Sequence, residues 1–522
     1  MLAPVLSNAD DAGVGCAYVR PMSSPDFAAY GHLRARAREI GLLQSTAALL
    51  AWDQQTFMPP KALDFRAEQL SYFSGKTHAL FTAPEVGDWL RACEDAGLAA
   101  DGPDIEMGTN VRGWRRHYDR ATRLPTALVE DFERAKIHAN AAWEKAREHA
   151  DFATFAPHLE NVFGLTRRMA DLWGYEASPY DALLEGFEPG AREADLAAIF
   201  GTLGPAVSAL LPPAAERSAR VPADLLAGHY PEAAQAAFNA EVAAALGFDF
   251  EAGGIATTTH PFCNGVAPGD CRLTTRYDEG NFLVSLYGVM HEAGHGMYEQ
   301  GLPPGGHGTP AGTAVSLGIH ESQSRLWENQ VGRGREFWEV WLPRAAHHFP
   351  HLKARTPEDL FAAVNRVRPS FIRVEADQVT YDLHIILRFG LERRILSGEL
   401  LIRDVPAAWN ELFERSFGLK VPDDAQGCLQ DIHWSEGLIG YFPTYTLGNL
   451  NAAQLFRRAH ADRPELPGEL AAGRYDGLLG WLREKVHRQG ERFLPGELIE
   501  RATGEPTRAE YYLASLREKF AA

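Results

Sequence analysis

The sequence has few cysteines and no CxxC pair. Five occur in 522 residues, and the count is odd and the spacing wide: Cys16, Cys93, Cys263, Cys271 and Cys428. We therefore expect neither a disulfide framework nor a cysteine-based zinc site. Free thiols of this kind favour a reducing compartment, so we expect the protein to be cytoplasmic.

The sequence also lacks long apolar runs and an excess of positive charge. No stretch of about 18 consecutive apolar residues occurs, so no membrane-spanning segment and no membrane partner are expected. The formal net charge is −18. Nucleic acid is not expected as a partner, because binding its backbone needs a basic surface. An anionic ligand would need a local cationic pocket to offset the repulsion from this net negative charge.

The first residues lack the basic start and apolar core of a signal peptide, and they show little pattern of any kind. We expect residues 1–24 to be a poorly ordered extension and residues 25–522 to form a single domain. Length alone would allow roughly three domains, but no low-complexity linker or internal repeat divides the chain.

Apolar residues recur every three to four positions over residues 26–245 and again after residue 281, which predicts helices. Two Pro-rich stretches, "LPPAAERSARVP" (211–222) and "GLPPGGHGTPAG" (301–312), are predicted to be loops. The alternation in "CRLTTRY" (271–277) predicts a strand. The expected fold class is mainly α, with a small β-sheet beside the helix that carries "HEAGH" (291–295).

The stretch "VMHEAGHGMYEQG" (289–301) contains two histidines four residues apart. Helical residues at this spacing share a face, with Cβ atoms about 6 Å apart, so His291 and His295 can bind one zinc ion. Glu292 then reaches a water on the metal and is the candidate general base. The surrounding helix is apolar almost all round. Buried polar groups need partners, which favours a metal site over histidines without a ligand.

A carboxylate from a second helix is the expected third ligand. Glu299 shares the face of His295, but three ligands in one helical row would lie at increasing distances from a single ion. The downstream stretch "AVSLGIHESQSRLWENQVG" (314–332) offers Glu321 and Glu328, of which Glu321 is preferred. His320 is expected to support a ligand or the fold. Two histidines and one carboxylate leave a position for water, which is typical of a catalytic zinc site.

Five motifs, in order, resemble the thermostable carboxypeptidase family typified by carboxypeptidase Taq. "HEAGH" is paired with "HESQ" (320–323), and three further signatures appear as "DCRLT" (270–274), "IRVEAD" (372–377) and "GCLQDIHW" (427–434). The resemblance runs from about residue 26 to the end of the sequence. It implies a zinc-dependent metallocarboxypeptidase that releases C-terminal residues from peptides one at a time.

The resemblance also implies an architecture and a ligand set. The fold should be a large helical catalytic domain with a deep cleft, similar in plan to neurolysin-like peptidases, and the protein a homodimer. Carried over to this sequence, the resemblance implies His291, His295 and Glu321 as ligands of one zinc ion and Glu292 as the catalytic base. Another divalent ion such as cobalt is the alternative metal.

A carboxypeptidase must recognise a free carboxylate, and an arginine fork does this with two hydrogen bonds. Arg373 of "IRVEAD" is the first choice, against an internal salt bridge to Glu375 or Asp377. Arg272 of "DCRLT" either closes the end of the cleft or pairs with Asp270.

The oxyanion needs a donor besides the metal, and His433 and Tyr441 are the candidates, with core packing as the alternative role. Gln430 and Asp431 either cap a helix or orient a zinc-binding histidine through its second ring nitrogen.

Two other functions remain open from the sequence: a zinc endo-oligopeptidase on the same scaffold, and a non-catalytic helical binding protein in which the metal only stabilises the fold. An endopeptidase should cleave a C-terminally amidated peptide, and a carboxypeptidase should not. Retention of Glu292 argues against the binding protein, because a structural metal site has no use for a base.

Overall fold

The structure is a computed structural model that describes residues 25–102 and 104–520. Helices dominate these ranges, with one three-stranded sheet, which confirms the predicted fold class. The extension expected at residues 1–24 lies outside the described residues, so its disorder stays a prediction.

In the described part of the chain before the sheet there are nine helices, in agreement with the helical pattern of residues 26–245. They are α1 (Pro25–Thr56), α2 (Leu63–Phe81), α3 (Pro84–Asp95), α4 (Ile105–Thr122), α5 (Thr126–His149), α6 (Phe152–Trp173), α7 (Pro179–Leu184), α8 (Glu193–Ala219) and α9 (Glu232–Leu246).

The sheet consists of β1 (Gly253–Thr257), β2 (Cys263–Ala267) and β3 (Asp270–Thr275), in the order β1-β3-β2. β1 runs parallel to β3, and β2 runs antiparallel to it. β3 covers residues 271–275 of the predicted strand, 271–277, and its Leu273 and Thr275 are buried. β3 packs against α10, so the small sheet lies beside the predicted metal helix, as expected.

Eleven helices follow the sheet up to residue 520, where the description ends, and a π-helix (Leu326–Gly332) continues the second of them. They are α10 (Phe282–Glu299), α11 (Leu317–Arg325), α12 (Arg335–His348), α13 (Pro357–Val364), α14 (Tyr381–Ser397), α15 (Val405–Phe417), α16 (Pro443–Asp462), α17 (Leu466–Ala471), α18 (Asp476–Lys485), α19 (Pro495–Thr503) and α20 (Ala509–Phe520).

A hydrophobic core surrounds α10, which explains why this helix is apolar nearly all round. Phe238 of α9, Leu273 of β3 and Trp338 of α12 are fully buried in the same cluster as Leu286 and Met290 of α10. Each large apolar side chain buried in this way contributes about 1.5–3 kcal/mol. The metal motif therefore stands on a packed, rigid element.

The predicted loop at residues 211–222 was largely wrong, because α8 continues through Pro212 and Pro213 to Ala219. Each proline lacks an N–H and removes one helical hydrogen bond. Leu210, Leu211 and Ala214 are nevertheless buried in the core, and that packing holds the helix. The second predicted loop, 301–312, is confirmed as two short 3₁₀ turns joined by irregular chain.

Within the described ranges, α8 is the one helix that is long and apolar enough to cross a membrane by length and composition. Its residues Leu203 and Val207 are fully buried in the core of the protein, as expected for a core helix.

Candidate metal centre

Helix α10 carries both histidines and the candidate base. It begins after Asn281, whose side chain accepts a hydrogen bond from the backbone N–H of Leu283 at 3.2 Å, a typical helix N-cap. The rings of His291 and His295 lie one turn apart, with centroids 4.9 Å from each other. Glu292 is buried beside them, so the predicted one-face arrangement of the histidines is present.

Helix α11 brings Glu321 against α10. It begins after Ser316, whose hydroxyl accepts from the N–H of Ile319 at 3.0 Å. The two helices approach closely at Gly294, where a Cβ would lie 2.6 Å from the Cα of Ser324. A larger residue at position 294 would force the helices apart, which explains a glycine in a helix interior and shortens the distance from Glu321 to the histidines.

Three ligand atoms converge between these helices. Oε2 of Glu321 lies 3.6 Å from Nε2 of His291 and 3.4 Å from Nε2 of His295, and all three atoms lie within 4.8 Å of one another. Zinc takes nitrogen and oxygen ligands at about 2.0–2.2 Å in tetrahedral geometry, which separates neighbouring ligand atoms by roughly 3.3–3.6 Å. The donor set and its spacing fit one zinc ion.

Glu328 holds the other nitrogen of His291. Its Oε2 lies 3.0 Å from Nδ1, and the same carboxylate pairs with Arg325 at 3.3 Å and Arg333 at 3.0 Å. Burial alone would lower the pKa of His291, but attraction by Glu321 and the bond to Glu328 outweigh it and raise that pKa. Glu328, the less favoured candidate ligand, therefore lies behind a ligand instead of among the three.

His320 and Glu299 occupy the corresponding position at His295. Nδ1 of His320 lies 2.5 Å from Nδ1 of His295, and Nε2 of His320 lies 2.8 Å from Oε1 of Glu299. Glu299 therefore reaches His295 through the ring of His320. His320 was expected to support a ligand or the fold, and here it lies between His295 and Glu299; that Glu299 is not a ligand stays a prediction.

The pKa shifts of His295, Glu321 and Glu292 suit metal binding and base chemistry, whereas the raised pKa of His291 means that a metal ion competes with a proton there. Burial, with neighbouring His320, lowers the pKa of His295 to about 4, so its imidazole is neutral at neutral pH. Burial opposes ionisation of Glu321, but Arg325 and the two histidines outweigh it and hold that pKa well below its usual range. Burial raises the pKa of Glu292 to about 7, near the value that suits a general base.

Arg373 lies in a buried ion pair, with Asp431 as its partner instead of Glu375 or Asp377. Its Nη2 lies 2.9 Å from Oδ1 of Asp431, and its Nη1 donates to the hydroxyl of Tyr381 at 3.1 Å. The internal salt bridge considered from the sequence is therefore present, although with a different acid. A role for Arg373 in carboxylate recognition stays a prediction.

Asp431 balances two buried arginines, because Arg388 pairs with the same carboxylate as Arg373. Gln430 accepts from the backbone N–H of Arg373 at 2.8 Å and donates to the carbonyl of Phe371 at 2.8 Å. The idea that Gln430 or Asp431 orients a zinc-binding histidine was wrong, because other side chains contact the Nδ1 atoms of both histidines.

Arg272 projects from β3 into a bidentate pair with Asp270, at 2.7 and 2.9 Å. Its guanidinium also lies 4.6 Å from the ring centre of Trp52 in α1. The side chain of Arg272 is 28% exposed, whereas that of Arg373 is 6% exposed. Arg272 is therefore the more accessible of the two arginines to a ligand from solvent.

His433 and Tyr441 lie in one aromatic cluster, with ring centroids 5.5 Å apart. Nε2 of His433 lies 3.3 Å from the hydroxyl of Tyr445. Burial lowers the pKa of His433 to about 4 and raises the pKa of Tyr441. Both groups are therefore neutral at neutral pH, and each has a proton to donate, as an oxyanion donor must.

One support of the centre was missed at the level of the sequence. Nε of Arg325 donates to Oε1 of Glu321 at 2.7 Å, which leaves Oε2 for the metal side. Arg325 follows Glu321 by four residues and precedes Glu328 by three, so helical spacing could have placed all three on one face. A contact outside the centre was also missed: His487, from a distant 3₁₀ turn, bonds to Gln323 at 2.9 Å and has no such signal.

Comparison with known proteins gives one consistent result. A family model described as carboxypeptidase Taq (M32) metallopeptidase matches residues 32–520. Thermostable carboxypeptidase 1 of Thermus thermophilus is 44% identical over 504 residues, which covers 95% of this chain and 99% of that protein. Carboxypeptidase 1 of Bacillus subtilis is 34% identical over 486 residues, covering 92% and 96%. The crystal structure of an M32 carboxypeptidase from Deinococcus radiodurans R1 aligns with a TM-score of 0.91 at 38% identity, covering 95% and 99%.

Proposed function

The chain belongs to the carboxypeptidase Taq family of metallopeptidases, and from this premise we propose that one zinc ion on His291, His295 and Glu321 serves its reaction. The family resemblance inferred from the five motifs is confirmed, and the protein is a metallocarboxypeptidase that acts on peptides. The identity of the metal, its ligands and the roles of the individual residues are proposals.

One observation carries the ligand assignment: two Nε2 atoms lie 3.4–3.6 Å from one carboxylate oxygen whose partner oxygen is already held by Arg325. The Nδ1 atoms of both histidines are occupied as well, so only the inward-facing atoms remain for an ion. Metal-binding histidines usually have such a partner on the second nitrogen.

A bound divalent ion supplies a Lewis acid that polarises the scissile carbonyl and lowers the pKa of water. Glu292 accepts the proton of the attacking water and later passes it to the leaving amine. Its buried carboxyl group, with a pKa raised to about 7, can hold and release a proton near neutral pH. His433 or Tyr441 donates a hydrogen bond to the developing oxyanion.

Recognition of the C-terminal carboxylate needs an arginine that a substrate can reach. Arg272 keeps an exposed part, and Asp270 is the one acid that pairs with it within the described ranges, which supports Arg272 as a contact to the substrate carboxylate. Arg373 forms an ion pair with Asp431 and a hydrogen bond to Tyr381. We therefore propose that Arg373 either contacts the substrate carboxylate after this ion pair rearranges or positions the side chains around it.

The wider properties follow from family membership and from composition. We propose a single catalytic domain over residues 25–522, a homodimer, and a cytoplasmic location. Light scattering on the purified protein tests the oligomeric state, and metal analysis of protein purified from its own cells tests zinc against cobalt.

The deciding experiment for the activity uses two peptides that differ only in a free or an amidated C-terminus. Mass spectrometry of the products should show stepwise loss of C-terminal residues from the free peptide alone, and a chelator should abolish it. Internal cleavage of both peptides would favour a zinc endo-oligopeptidase instead. Chelator-resistant cleavage would contradict the metal mechanism.

A further inference from the structure

His320 lies between a candidate ligand on α10 and an acid on the same helix. Its Nδ1 lies 2.5 Å from Nδ1 of His295, and its Nε2 lies 2.8 Å from Oε1 of Glu299. Glu299 follows His295 by one helical turn, and His320 enters between them from α11. The three side chains form a continuous hydrogen-bonded row.

Only one set of protons satisfies this row when Nε2 of His295 carries a metal. The Nδ1–H of His295 then donates to Nδ1 of His320, and the Nε2–H of His320 donates to the carboxylate of Glu299. Each imidazole is neutral and has one donor and one acceptor nitrogen. The carboxylate at the end of the row accepts without needing a proton of its own.

We propose that His320 and Glu299 are positioning residues that hold the ring of His295 with Nε2 toward the metal. This inference rests on the metal site proposed above. Each of the two proposed zinc ligands on α10 then has a carboxylate on the side away from the metal. Glu328 contacts His291 directly, whereas Glu299 acts on His295 through the imidazole of His320. The row also fastens α10 to α11 at the point where the ligands meet.

The surrounding structure holds the far end of this row in place. A Cβ at Gly265 of β2 would lie 2.5 Å from Oε2 of Glu299, so the edge strand passes directly against this carboxylate. The ring of His320 packs against Tyr298, with centroids 5.1 Å apart. Both contacts limit the rotation of the two side chains, and a restrained partner orients a ligand better than a mobile one.

The test compares three substitutions at position 320. His320→Leu removes both bonds. His320→Asn keeps an acceptor near the former Nδ1, and so the bond from His295, whereas His320→Gln places its amide near the former Nε2 and keeps only Glu299. Competition with a chromophoric chelator should show zinc dissociation constants raised about 10–100-fold in the Leu and Gln variants, with a smaller rise in the Asn variant.

A second readout is the visible spectrum of the cobalt-loaded protein, which reports the ligand field and not the fold. It should shift in the Leu and Gln variants and remain close to the native spectrum in the Asn variant. Glu299→Gln, which keeps an acceptor but removes the charge, should raise the dissociation constant less than His320→Leu.

His487→Leu is the matched control, because the ring of His487 also packs on Tyr298, with centroids 5.0 Å apart. It should destabilise the fold and leave zinc affinity and the cobalt spectrum unchanged. Equal zinc affinity across the three variants at 320 would overturn the inference, as would equal losses in the Leu variants at 320 and 487. If His320→Leu does not fold, the Asn and Gln variants alone decide. A native protein that binds no metal would overturn the proposed function itself.

Discussion

Replacing Glu328 with Gln should lower both the free energy of unfolding and the affinity for zinc. Different contacts of the Glu328 carboxylate account for the two losses. The carboxylate of Glu328 accepts from His291 at 3.0 Å and pairs with Arg333 at 3.0 Å and Arg325 at 3.3 Å. Glu328 is 8% exposed, so these are buried, charge-assisted contacts. Arg325 keeps Glu321 as a partner at 2.7 Å, whereas Arg333 has no other carboxylate among its ion pairs in the described ranges.

The loss of the buried pair with Arg333 should destabilise the metal-free protein by about 3 kcal/mol, the lower end for a broken buried ion pair, because the amide still accepts one hydrogen bond. The weaker acceptor behind His291 should lower zinc affinity by a further factor of about 10–100, or about 1.4–2.7 kcal/mol.

Denaturant unfolding of the metal-free protein measures the first loss, and chelator competition measures the second. Glu336→Gln is the matched control, since Glu336 and Glu328 both act on Lys519, but Glu336 forms no ion pair with His291 or His295 in the described ranges. Equal zinc affinity of the Glu328→Gln and native proteins would show that this carboxylate does not orient His291.

Three further outcomes are expected. Asp431→Asn should destabilise the protein by about 3–5 kcal/mol in denaturant unfolding, since it leaves Arg373 and Arg388, 5% and 1% exposed, without their shared charge; a loss under about 1 kcal/mol would contradict this. Burial raises the pKa of Glu188 from 4.5 to about 7. Between these two pH values the native state therefore keeps a proton on Glu188 that the unfolded state has lost. Stability should therefore fall by about 3 kcal/mol as pH rises from 4.5 to 7, relative to Glu188→Gln; parallel pH profiles of the two proteins would refute it. Arg272→Ala should raise KM for peptides with a free carboxylate and leave zinc content unchanged in steady-state kinetics and metal analysis; an unchanged KM would contradict its substrate role.

The sequence predicts those parts of the centre that depend on spacing within a helix. His291 and His295 share a face because they are four residues apart on a helix, and that geometry needs no tertiary information. The preference for Glu321 over Glu299 follows from the same geometry, since a third ligand in the same row cannot reach the ion equally well. The strand at "CRLTTRY" is likewise a local alternation.

Contacts between distant segments could not be predicted in this way. The partner of Arg373 is Asp431, 58 residues away, while the acids considered from the sequence, Glu375 and Asp377, are local. The prediction of a loop at Pro212 and Pro213 was wrong for a similar reason. Buried neighbours in α8 offset the local preference of proline to end a helix.

Glu292 is proposed as the base of a zinc site built from His291, His295 and Glu321. The most direct measurement is zinc content and turnover of Glu292→Gln on a peptide with a free C-terminus. This variant should bind one zinc ion per chain, as the native protein does, with turnover reduced by about 10²–10⁴-fold. Native turnover in this variant, or loss of the zinc ion with it, would mean that Glu292 is not the base of this site.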